Sequence, residues 1–148
     1  MLMDTRRRDG RAGGRTLPPG TPRMLTERTF RQQDVPAVRR FAEAFGARAG
    51  LGTARLAAVV LAASEAAACA TAWGPCTARV RLWISGSRAC CEVRADAMAV
   101  RRAAPGTGPR GEEAALRRSV LRQVSDYVSV ASGPDGAWVF LSMSVAGA

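Results

Sequence analysis

The residues of this chain that most suggest chemistry lie at the end of a long alanine-rich apolar run. Glu65 is the only charged residue between Leu56 and Cys69, and the run leads through Gly74 and Pro75 into an alternating strand pattern. A carboxylate among apolar helix residues is unusual, because its burial is costly unless it is paired or used chemically. Glu65 is therefore the first candidate functional residue, and a surface acid or an ion pair to an arginine is the alternative.

The composition removes several kinds of chemistry. The 148-residue chain contains no histidine, and all 22 of its cationic side chains are arginines. Without histidine there is no Ser–His or Cys–His nucleophile pair, and no Walker loop, Rossmann fingerprint or helix-turn-helix pattern is evident. The 5% aromatic content argues against a base-stacking platform for single strands. The net charge of +10 favours an acidic partner such as an acidic protein, nucleic acid or a membrane surface.

The four cysteines are predicted to be small core residues. Cys69 and Cys76 lack the spacing of a zinc ribbon, as do Cys90 and Cys91, and no histidine is present to complete a site. The arginine-rich N-terminus has no apolar segment typical of a signal peptide, and the alanine-rich run is too short to span a bilayer. We therefore expect a cytoplasmic protein with reduced thiols and no metal or membrane contact.

The chain divides into an arm and one domain. Residues 1–24 are rich in arginine, glycine and proline, which predicts a disordered arm, and residues 25–148 are long enough for a single core. The predicted elements are, in order, a strand at Leu25–Arg31, a helix capped by Asp34, a helix capped by Thr53 and running to about Trp73, strands at Thr77–Ser85 and Ala89–Ala95, a helix from Glu112 to about Asp126, and strands at Tyr127–Ala131 and Ala137–Val145.

This order predicts an α+β fold. We expect a two-layer sandwich in which a mixed, mostly antiparallel sheet carries the helices on one face. Alternation along the strands places Glu92 on the solvent side of the sheet, together with three aromatic residues that are candidates for a protein interface. The alternative is that the aromatic side chains are covered by the arm or scattered on the surface. These three residues are Trp83, Trp138 and Phe140.

The chain carries its features in a definite order: a helix that contains Ser64 and Glu65 and ends in glycine, a hairpin, a glycine-rich loop, a helix and a final hairpin. This ordered series resembles the histidine-kinase-like ATPase fold. The form it resembles is that of small anti-sigma-factor serine kinases, from about Arg28 to Val145. In that family the glutamate of the first box is the general base toward the hydroxyl that receives phosphate, and an asparagine four residues later holds magnesium. The resemblance implies that Glu65 is the catalytic residue, while Cys69 replaces the metal ligand with a soft thiol.

The second box of the family binds adenine through an Asp-x-Gly-x-Gly sequence. By position Asp96 and Ala97 are the corresponding cofactor-binding residues, but Asp96 comes one residue late and Ala97 replaces a glycine. A one-residue shift in a strand turns a side chain to the opposite face, although a bulge would restore it.

The third box binds phosphate through a Gly-x-Gly at the start of a helix. The resemblance implies Gly108, Arg110 and Gly111 as phosphate contacts in a shifted cradle. Glu112 and Glu113 place two negative charges beside them, which works against nucleotide binding.

Together these features predict a regulatory protein that resembles an anti-sigma factor and acts in transcription by binding a protein. By resemblance its partner is a sigma factor or an anti-anti-sigma antagonist, it forms a homodimer, and its use of ATP and magnesium is lost or weakened. One alternative is an active ATP-dependent serine kinase of the antagonist. A second alternative is a basic nucleic-acid-binding protein, which predicts a steep dependence of binding on salt.

Overall fold

The computed structural model describes residues 22–32, 34–72, 76–95, 111–133 and 136–145. These residues form a sheet and a layer of helices, and their elements follow the predicted order. The elements are β1 (Arg23–Arg31), α1 (Val35–Arg48), α2 (Thr53–Ala70), β2 (Thr77–Ser85), β3 (Arg88–Ala95), α3 (Gly111–Val124), β4 (Tyr127–Gly133) and β5 (Gly136–Ser144).

The five strands of the described part form one sheet in the order β1-β2-β3-β5-β4. All four pairings are antiparallel, whereas a mixed sheet was predicted. Two of these pairings, β2–β3 and β4–β5, join strands that follow each other in the chain, and a short connection between paired strands makes them antiparallel. α2 packs against β2, β3 and β5, and α1 packs against β1 and α2. The α+β two-layer architecture is therefore confirmed.

α1 begins after Asp34, the residue that was predicted to cap it. The Asp34 carboxylate accepts a hydrogen bond from the backbone N–H of Ala37 at 3.4 Å, and Pro36 stands in the first turn, where no N–H is needed. Gly50 follows the helix with φ +75°, a conformation that favours glycine. The buried stripe of the helix comprises Val38, Phe41, Ala42, Phe45 and Gly46.

α2 differs from its prediction at both ends. Thr53 is the first helical residue and not the cap, because Gly52 occupies the cap position and supplies no side chain. The helix ends at Ala70, before the predicted end near Trp73, and the Thr71 hydroxyl donates to the Ala67 carbonyl at 2.7 Å. The apolar run was predicted to be too short to span a bilayer, but α2 begins three residues before that run and is long and apolar enough, by length and composition, to cross a membrane. Within the fold, 44% of the helix is buried.

The central strands place their apolar residues toward the helices, as alternation predicted. Gly86 has φ +60° in the two-residue turn between β2 and β3. This short turn fixes which residues of the two strands lie opposite each other. β1 begins at Arg23, two residues before the predicted start of the domain, and residues 1–21 of the predicted arm lie outside the described residues. The sheet side of the main core includes Val80, Leu82, Ile84, Cys91, Val93, Val139, Leu141 and Met143.

Candidate functional site

The candidate base, Glu65, is held in an ion pair between two helices. Its Oε1 lies 3.3 Å from Nη1 of Arg117, and α2 packs along α3 at this point. Both side chains are partly exposed, 23% for Glu65 and 32% for Arg117. The structure therefore shows the alternative considered from the sequence, a carboxylate paired to an arginine.

Cys69 lies one helical turn after Glu65, on the same face of α2, and is half-buried. Burial raises the pKa of its thiol, the nearby guanidiniums of Arg118 and Arg117 lower that pKa, and Glu65 raises it, with a net rise. The thiol is therefore protonated at neutral pH. A protonated thiol is a poor ligand for magnesium, which requires oxygen atoms in near-octahedral geometry.

The other predicted site residues are only partly accounted for. Asp96, Ala97, Gly108 and Arg110 lie outside the described residues. Gly111 is described as the first residue of α3, the helix that also carries Arg117. The fold therefore brings Glu65 and Cys69 together with the helix that begins at Gly111. Within the described ranges, no group of three or more His, Cys, Asp or Glu side chains could hold a metal ion.

A second cluster lies on the face of the sheet opposite the helices, which we call the outer face. The side chain of Glu92 is 1% exposed, although alternation had predicted that it faces solvent. Its Oε2 accepts hydrogen bonds from Trp138 Nε1 at 2.9 Å and Arg94 Nη2 at 3.1 Å. Its Oε1 accepts one from Arg81 Nη1 at 3.2 Å. The predicted face is right and the predicted exposure is wrong, because the neighbouring side chains enclose the carboxylate.

The aromatic residues predicted as interface candidates are largely buried in this same region. Trp83 is 0% exposed and Phe140 is 8% exposed, and their ring centroids are 6.1 Å apart. Trp138 is partly buried and stacks on Phe140 with a centroid distance of 6.3 Å. The rings therefore pack on one another, and Trp83 and Phe140 are not accessible to a partner in this structure. The indole N–H of Trp83 finds no acceptor in the described part of the chain.

Part of the Glu92 cluster could have been found from the sequence. A two-residue turn at Gly86 and Ser87 pairs residues at equal distances on either side of it, which places Arg81 directly opposite Glu92. Opposite charges in such a pair stabilise a sheet. Trp138 belongs to a distant strand, and no local signal in the sequence indicates that its N–H reaches the same carboxylate.

Comparison with known proteins assigns no family to this chain. No protein-family model matches the chain, and no curated protein matches it significantly. A functional assignment therefore depends on the residues and contacts described above.

Glu92→Gln is expected to destabilise the protein. The amide keeps the shape of the side chain but removes the charge that Arg81 and Arg94 neutralise and weakens the acceptor of the Trp138 N–H. The expected loss is about 1–3 kcal/mol in the free energy of unfolding, measured by urea denaturation. Glu43→Gln, at an exposed position of α1, is the matched control and should change stability by less than about 0.5 kcal/mol. Equal stability of the two variants would contradict the structural role of the Glu92 cluster.

The buried thiol of Cys90 predicts a loss of stability in alkali. Burial raises its pKa to about 11 from the usual 9.0, against a smaller lowering by Arg88. Above pH 9 the unfolded chain loses this proton while the folded chain keeps it, so ionisation favours the unfolded state until the pH passes about 11. The urea midpoint should fall over this range, and it should fall less for Cys90→Ala. Parallel pH profiles for the two proteins would exclude this effect.

Proposed function

We propose that this chain is a regulatory protein that resembles an anti-sigma factor and acts by protein binding, with its use of ATP and magnesium lost or weakened. The observation that carries the proposal is the ion pair between Glu65 and Arg117. The Arg117 guanidinium engages Oε1 of this carboxylate, which leaves Oε2 as the oxygen that could take a proton from a hydroxyl. Because Cys69 presents a protonated thiol where the metal ligand would stand, phosphoryl transfer would also lack its usual charge neutralisation.

The order of the elements supports the proposed fold family. A strand, two helices, a hairpin, a helix and a final hairpin follow one another in the described residues, and this is the order that the resemblance implies. The helices lie on one face of the sheet. We infer from this order that the domain is a histidine-kinase-like ATPase fold whose nucleotide chemistry has decayed.

The charge of the protein supports an acidic protein partner. A net charge of +10 attracts acidic surfaces, although several arginines are already engaged within the fold. By resemblance we propose a sigma factor or an anti-anti-sigma antagonist as the partner, a homodimer as the active form, and a cytoplasmic location. The engaged arginines include Arg55, Arg81, Arg88, Arg94 and Arg117.

ATP and ADP are expected to leave the melting temperature unchanged, with or without magnesium. A ligand at about a hundred times its Kd adds about 2.7 kcal/mol to stability, which for a domain of this size is a rise of about 5–15 °C. A thermal-shift titration to millimolar nucleotide measures this directly. A magnesium-dependent rise would overturn the proposed loss of nucleotide use. Phosphorylation of an antagonist protein that is abolished by Glu65→Ala would then favour the active kinase.

The protein is expected to inhibit transcription by one sigma factor selectively. Run-off transcription would be measured with RNA polymerase core and each purified sigma factor of the cell that makes this protein. One holoenzyme should be inhibited at a stoichiometric concentration of the protein, with and without added ATP in the preincubation. Inhibition of every holoenzyme to the same extent would instead indicate coating of the DNA, and inhibition of none would refute the anti-sigma role.

A further inference from the structure

The strand β1 lies at one edge of the sheet formed by the described residues. It pairs with β2 on one side, and no described strand pairs with it on the other. In an antiparallel pair the backbone N–H and C=O groups of alternate residues point away from the partner strand. This edge therefore offers a row of donors and acceptors to which a further strand can pair.

The side chains along this edge are basic on both faces of the sheet. Arg28 stands opposite Val80, a residue of the main core, so it lies on the helix side, where its guanidinium is 5.3 Å from the centre of the Phe41 ring. Arg31 lies on the outer face and is exposed, as is Arg79 of the neighbouring strand β2. An incoming strand would therefore meet cationic groups on both of its faces.

The acidic residue of β1 does not cancel this charge. Glu27 carries the only negative charge of the strand, and its carboxylate already contacts Arg79 and Arg81, each at 3.4 Å. Arg31 has no ion-pair partner among the described residues. The exposed cation at this end of the edge is thus available to an external carboxylate.

The opposite edge of the sheet is chemically different. β4, the other edge strand, has the sequence YVSVASG and contains no charged residue, whereas β1 contains three arginines in nine residues. Pairing of β1 with β1 of a second copy would bring like charges together, which is destabilising. The charge of the β1 edge therefore opposes self-association there and favours an acidic strand.

We propose that β1 binds an extended, acidic segment of a partner protein, which adds to the described sheet as a further strand. Backbone hydrogen bonds to the free edge supply affinity, and carboxylates on alternate residues pair with Arg28 on one face and Arg31 on the other. This inference rests on the protein-binding part of the proposed function. It does not require the partner to be a sigma factor.

The probe is a short fluorescein-labelled peptide with glutamates at both odd and even positions, and its binding is followed by fluorescence anisotropy. A peptide of the same sequence that is N-methylated at alternate residues has the same charge but cannot donate hydrogen bonds along one edge. We expect the methylated peptide to bind at least about tenfold more weakly, which corresponds to about 1.4 kcal/mol. Equal binding of the two peptides would mean general electrostatic attraction and would overturn strand addition.

The protein variants locate the site. Arg31→Glu should weaken binding of the acidic peptide at least about tenfold. Arg122→Glu makes the same change of charge at an exposed position of α3, which packs beside β4, and should alter the Kd by less than about twofold. Similar losses in both variants would show that net charge alone drives binding and would overturn the assignment to β1.

Hydrogen exchange identifies the edge that is used. The bound peptide should slow exchange of backbone amides within Arg23–Arg31 and leave those of Tyr127–Gly133 unchanged. Protection of β4 in place of β1 would contradict the proposal, as would displacement of the peptide by a DNA oligonucleotide at equal charge concentration. This assay uses neither nucleotide nor sigma factor. If the peptide does not bind at β1 while the protein still inhibits one sigma factor selectively, the edge site alone is overturned and the proposed function stands.

Discussion

The register of β2 against β3 is the constraint on which the rest of this structure depends. The two-residue turn that contains Gly86 fixes it, and each strand then presents alternate residues to opposite faces. A shift of one residue would carry Val80 and Leu82 to the outer face and Arg81 into the core. Since β1 and β5 pair on either side of this hairpin, their positions are set by the same register.

The same register explains why a charged residue can be buried on the outer face. Glu92 is placed opposite Arg81 and beside Arg94, and the pairing of β3 with β5 brings Trp138 within hydrogen-bond distance. Burial of a carboxylate costs several kcal/mol unless its oxygen atoms are paired. Here three side-chain donors from three different strands supply the pairing. The sheet thus has an apolar core on one face and a polar and aromatic cluster on the other.

Sequence patterns predicted what depends on neighbouring residues and failed where distant residues meet. Asp34 and Pro36 set the start of α1, and the alternation of β2 gave its inner and outer faces. The burial of Glu92 was missed because exposure depends on neighbours from other strands. The pairing of Glu65 with Arg117 joins residues 52 apart in the chain, and no spacing rule links them. Residue type therefore singled out Glu65 as a candidate, while its pairing depends on the packing of α2 on α3.

The contacts that keep the fold and those that would carry nucleotide chemistry are different contacts, so one set can be lost without the other. The sheet register and the apolar faces of the helices do not require Cys69 to be a metal ligand or Glu65 to be free. An ion pair between α2 and α3 adds little stability at such partial exposure, on the order of 0–1 kcal/mol, yet it engages one oxygen of the candidate base. Among the described strands, β1 and β4 form the two edges of the sheet. The basic edge at β1 and the uncharged edge at β4 then give the two sides of one sheet different preferences for a partner.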